Sequence, residues 1–146
     1  MGRRRPPVKM PVSRKLPVEV SAKIKTSIAR GVLKPGSGKV RINSVSIDNW
    51  GYSPYREIAQ TPIKLIGDRF KEVDVIMRVG GGGVCSQARA VRVALSKGIV
   101  KWTRSKGIRS VLIGYDEHIL SGDQRQTEPK KFGGPGPRRR VQKSYR

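Results

Sequence analysis

Acidic side chains are scarce in this chain: ten Asp and Glu stand against 32 Lys and Arg, leaving a formal net charge of +22 on 146 residues. An excess of that size goes beyond what solubility needs and points to a polyanionic partner. Lys and Arg neutralise phosphates and release condensed counterions, so binding is strong at low salt and falls steeply as salt rises. Cysteine and histidine are scarcer still. The single Cys85 excludes an internal disulfide framework, and the single His118 excludes a His/Cys metal cluster. With one histidine there is no Ser/His/Asp or Cys/His constellation for covalent catalysis, and no paired acids flank a glycine-rich pocket. The expectation is therefore no enzyme, no cofactor and no metal. No apolar run approaches the roughly 20 residues of a membrane helix. Arg3, Arg4 and Arg5 are not followed by the apolar segment of a secretory signal, so no membrane partner is expected and an intracellular setting fits.

The positive charge is concentrated at the two ends. Residues 1–15 hold six basic side chains and no acid, residues 129–146 hold seven and no acid, and the middle holds nineteen with all ten acids. This divides the chain into a basic arm (1–17), a folded body (18–127) and a basic tail (128–146). The arm has four prolines and is expected to be extended. The tail packs three prolines and three glycines into positions 129–137, which forbids a helix or a central strand. Phe132, Val141 and Tyr145 offer too little apolar area to offset ordering the backbone. The tail is thus expected to be extended and mobile until a polyanion orders it.

Within the body, alternating apolar positions at 22–33 and 39–43, separated by Lys34-Pro35-Gly36-Ser37-Gly38, predict a hairpin, with a short third strand at 44–47. Lys23, Lys25, Arg30, Lys39 and Arg41 keep part of this surface positive. Pro54, with Ser53 as N-cap, opens a helix that Pro62 should interrupt and Gly67 end. Val73, Val75, Met77 and Val79 define the clearest strand. Apolar Ile76 between them suggests burial on both faces. A long helix over 86–104 carries the stripe Val84, Ala88, Val91, Leu95, Ile99 and Trp102. Arg89, Lys97, Lys101 and Arg104 lie on the opposite arc, made imperfect by Val93 and Val100. A last short helix spans 108–120.

Two glycine-rich stretches invite an anion-site reading. Gly36-Ser37-Gly38-Lys39 fails as a nucleotide loop, because Leu33 stands where the first glycine belongs and Val40 where Ser or Thr would ligate magnesium. Gly80-Gly81-Gly82-Gly83 joins a strand to a helix but does not meet the dinucleotide fingerprint, since Cys85 replaces its third glycine. It is either a plain tight turn or one whose amides hold a single RNA phosphate.

Taken in order, Arg78-Val79-Gly80-Gly81-Gly82-Gly83, Ser86-Gln87-Ala88, Ala90-Val91-Arg92, Asp123 with Arg125, Glu128-Pro129-Lys130-Lys131-Phe132-Gly133 and the terminal Gln142-Lys143-Ser144-Tyr145-Arg146 resemble the S-nine family of small-subunit ribosomal proteins. The resemblance covers roughly residues 22–146, and the tail's Pro-Gly repeats and Lys-Ser-Tyr-Arg ending resemble the archaeal and eukaryotic branch. It implies an α+β, two-layer β-β-β-α-β-α domain like domain two of ribosomal protein S-five, with a left-handed crossover, and extended basic tails. It implies binding to small-subunit rRNA in the subunit head beside neighbouring head proteins, in the cytoplasm. Lys130, Lys131, Arg138, Arg139 and Arg140, with Arg89, Lys97 and Lys101, would be the rRNA-binding residues. Lys143, Ser144, Tyr145 and Arg146 would contact the anticodon stem-loop of peptidyl-site tRNA. The arm at 1–17 is not part of the family pattern. Composition alone also permits a free-standing nucleic-acid-binding module, which co-sedimentation with small subunits distinguishes.

Overall fold

The computed structural model describes residues 16–145, apart from the side chain of residue 69; the expectations for residues 1–15 and for Arg146 lie outside the described residues. Period-two patterning builds the sheet. In β5 (Val73–Gly80) the buried residues Val73, Val75, Met77 and Val79 alternate with less buried ones, and β1 (Val18–Ile24) and β2 (Ser27–Pro35) follow the same rule. β3 (Val40–Ile42) and β4 (Val45–Ser46) complete five strands in the order β1-β2-β5-β3-β4. β3 and β5 run parallel, and the other neighbours are antiparallel. The parallel pair is joined through α1 (Ser53–Ile66); α2 (Val84–Thr103) and α3 (Lys106–Tyr115) follow β5. α2 packs on β1 and β2, and α1 packs against α2. The result is an α+β fold with one face of its sheet under helices.

The first apolar run is two strands, not one. β1 turns into β2 through Lys25 and Thr26, with Ile24 opposite Ser27. Lys25 takes the left-handed conformation (φ 54) that glycine usually supplies, so no turn signal marks the break. The expected hairpin between 22–33 and 39–43 does not form, because β5 inserts between β2 and β3. Ile76 is 51% exposed, not buried, since no second layer covers that side among the described residues. Pro62 does not break α1: its ring is fully buried, and this packing offsets the lost backbone bond. Gly67 ends the helix as expected, at φ 61.

α2 was expected to present a basic arc broken only by Val93 and Val100. Instead Ala90, Val93 and Ala94 are buried along with the expected stripe of Ala88, Val91, Leu95 and Ile99. Flanked by both the sheet and α1, the middle of the helix has few open positions. α3 stops at Tyr115, short of the expected 120; Ile108 and Leu112 face inward, while Val111 and Tyr115 are exposed.

Candidate nucleic-acid interface

No helix or strand follows Ile119 among the described residues, as the prolines and glycines of the tail dictate. Yet the tail is not extended throughout. Glu128 grips Arg138 through both carboxylate oxygens, with Arg138 Nε donating at 3.0 Å to Oε2 and Nη2 to Oε1. Arg140 Nη1 donates to the Phe132 carbonyl at 2.6 Å, and Val141 N donates to the Gly133 carbonyl at 3.3 Å. These contacts close residues 128–141 into a loop. The lone acid of the tail makes the loop possible, and the Arg138 guanidinium holds the Glu128 carboxyl below its ordinary range. Lys130, Lys131 and Arg139 remain exposed around the loop, and Lys143, Ser144 and Tyr145 are exposed beyond it. Phe132 and Tyr145 present nearly their whole rings to solvent.

The α2 cations do not join them as one face. Lys101 Nζ reaches the Glu19 carbonyl on β1 at 3.2 Å. Lys97 is half-buried on the same half of the helix. Arg89 lies near the other end, in a trough with Arg92, His118 and Arg125. There Arg92 Nη2 pairs with Asp116 Oδ2 at 2.6 Å, while Arg92 Nε is buried without a partner among the described residues. Arg125 clamps Asp123 through two bonds of 2.9 Å, and that clamp holds the Asp123 carboxyl down to about 2.

The first glycine stretch offers no free amides. Ser37 N and Lys39 N both donate to Asp74 Oδ1, at 2.8 and 2.9 Å. A carboxylate thus occupies the place a phosphate would take, and those amides hold it below the usual carboxylate range. At Gly80–Gly83 the connection is tied internally. Ser27 Oγ donates to the Gly81 carbonyl at 2.8 Å and lies 2.7 Å from Ser86 Oγ, which also accepts from Gly83 N at 3.2 Å. Of the amides in this run, that of Gly83 is thereby taken up within the connection.

The family model described as ribosomal protein S9/S16 matches residues 22–146. The chain belongs to the ribosomal protein S9/S16 family. Relatives named small ribosomal subunit protein uS9 come from the archaea Desulfurococcus amylolyticus (48% identical, covering 92% of this chain and 97% of the relative) and Methanothrix thermoacetophila (43%, covering 88% and 98%). A third, from Pyrobaculum aerophilum, is 40% identical over 85% of this chain and 87% of its own length. The S9/S16 match begins at Ala22, inside β1, so the whole basic arm (1–17) falls outside it.

Within this S9/S16 member, the sequence reading missed two features. The Glu128–Arg138 clasp depends on loop closure, which composition does not encode. The opposition of Arg30 and Arg78 across β2 and β5 depends on register; strand alternation alone would have put both on one face had β5 been recognised as the neighbour of β2.

Proposed function

We infer that this chain is a structural constituent of the small ribosomal subunit that binds rRNA through basic surfaces of its body and loop, and reaches peptidyl-site tRNA with its last residues. Family membership supports the subunit assignment. The observation that carries the finer reading is the loop at 128–141, which holds Lys130, Lys131 and Arg139 outward and lets residues 143–145 project past the last internal bond, made by Val141. Guanidinium and ammonium groups there contact phosphates and read no sequence, which suits a site that accepts many tRNAs. Tyr145, 90% exposed, is placed to stack on a base or sugar. The role is electrostatic and steric, with no turnover. The division into arm, body and tail then becomes functional: the body anchors, the loop attaches to rRNA phosphates, and the final residues touch the anticodon stem-loop.

Deleting residues 143–146 tests this. Small subunits assembled with the shortened chain should retain it through sucrose-gradient purification but bind peptidyl-site tRNA more weakly. Loss of the protein from the subunit, or unchanged tRNA affinity, overturns the division of labour.

A further inference from the structure

The side of the sheet that no helix covers among the described residues is not neutral. Register places Ser21, Arg30 and Arg78 in one row across β1, β2 and β5, and Glu19, Val32, Ile76 and Arg41 in the next row across β1, β2, β5 and β3. Arg30 and Arg78 are directly opposed, an arrangement that repels and weakens a sheet in isolation. Neither has an ion pair among the described residues. Asp74, the acid of β5, is taken by the amides of Ser37 and Lys39. Lys23 and Lys34 add further exposed positive charge on β1 and β2. Beside the arginines, Ile76 is 51% exposed and Ile28 is 39% exposed. A face that keeps a repulsive pair next to bare isoleucines is built for a partner.

The chemistry selects the partner. These rows contain no aromatic, so bases have no platform to stack on. The trough over β1, β2 and β5 is open and shallow, without the deep pocket in which a protein partner seats an anchor side chain. Two guanidinium forks side by side instead match successive phosphates, with the isoleucines lying against the sugars. We propose that the open face of the sheet, centred on Arg30 and Arg78, is a second RNA-docking surface that takes the sugar-phosphate backbone of rRNA independently of the tail. This rests on the ribosomal reading above and adds a surface to it.

The test is hydroxyl-radical probing in reconstituted small subunits. A Cys85→Ser chain would carry a tethered iron chelate at Ile76→Cys, at Ile28→Cys as a second position on the same face, or at Ser144→Cys in the tail. Cleavage of rRNA in a compact cluster from 76 and 28 is expected. The Arg30→Gln/Arg78→Gln double variant should make the salt dependence of rRNA binding shallower by about two in slope. Arg78→Gln alone should raise the melting temperature of the free protein, an effect opposite in sign to its loss of affinity. Cleavage from 144 but not from 76 or 28 in fully incorporated protein would remove the sheet face and leave the ribosomal function standing. Cleavage from 76 and 28 that falls only on a neighbouring protein would overturn the choice of RNA. No incorporation of any labelled chain, with the unlabelled chain also failing to co-sediment, would overturn the ribosomal reading itself.

Discussion

Asn43 shows how much one side chain contributes where the parallel ladder ends. Its backbone is left-handed (φ 49), and its N donates to the Met77 carbonyl at 2.9 Å. Its amide then acts as one more strand residue, donating to the Val79 carbonyl at 3.0 Å and accepting from Val79 N at 2.9 Å. Asparagine is among the few residues that tolerate this conformation and also carry both a donor and an acceptor. Asn43→Ala should therefore cost about 1–3 kcal/mol, read as a lower denaturant midpoint with unchanged slope. Asp74 makes a prediction in pH. Its carboxyl sits below its ordinary value in the folded protein, chiefly through the Lys39 and Ser37 amides. A depressed carboxyl contributes stability that is present above its unfolded value, near 4, and lost as pH falls through the folded value. Asp123, held at about 2 by Arg125, extends that limb to lower pH. Melting temperatures measured from pH 6 to pH 2 should fall for the native chain, and less steeply for Asp74→Asn, which begins from a lower plateau.

At the scale of elements, glycines separate what packing requires from what it merely tolerates. A Cβ on Gly98 of α2 would lie 2.7 Å from Leu33 Cδ1 and 3.3 Å from Val20 Cγ1, and Leu33 is fully buried with little room to turn. Gly98→Val should lift α2 off β1 and β2 and cost about 1–3 kcal/mol, or more, in thermal or chemical unfolding. Gly114 of α3 meets nothing within 4 Å, so Gly114→Ala should instead gain up to about 1 kcal/mol from helix propensity. The same distinction divides the Gly80–Gly83 run. Gly81 (φ +77) and Gly82 (φ +61) are required by conformation and by the closeness of Thr26 and Ser27, whereas Gly80 and Gly83 are not. This scale also shows what the sequence made legible. The strand at 73–79 and the long helix were readable because each carries its own period. The pairing of β2 with β5 was not, because the partners lie some forty positions apart and the Pro-Gly turn after β2 looked like a local hairpin. The imperfect arc of α2 was visible in Val93 and Val100, and the structure packs both against the core. Of the candidate site, the tail cations were legible from composition, while the contacts that shape them were not.

For the whole molecule, the decisive quantity is how many of its cations are free to meet phosphate. In the loop, Arg138 is already neutralised, because Glu128 grips it through two oxygens. The pair is exposed, so its contribution to folding is small and salt-sensitive. Its consequence for binding is larger, since a guanidinium bonded twice to a carboxylate has little left to offer a phosphate. Glu128→Gln removes the competing charge and releases the fork. If phosphate contact dominates affinity, the variant should bind an rRNA fragment more tightly at low salt, and the plot of log affinity against log salt should steepen by about one. The loop would loosen at the same time, since one of its closing contacts is gone. Tighter binding to bare rRNA together with weaker peptidyl-site tRNA binding in assembled subunits would therefore show that Glu128 gives up affinity for aim. An unchanged salt slope would mean that Arg138 never reaches phosphate and that the clasp persists on RNA, leaving Lys130, Lys131, Arg139 and Arg140 to carry the attachment.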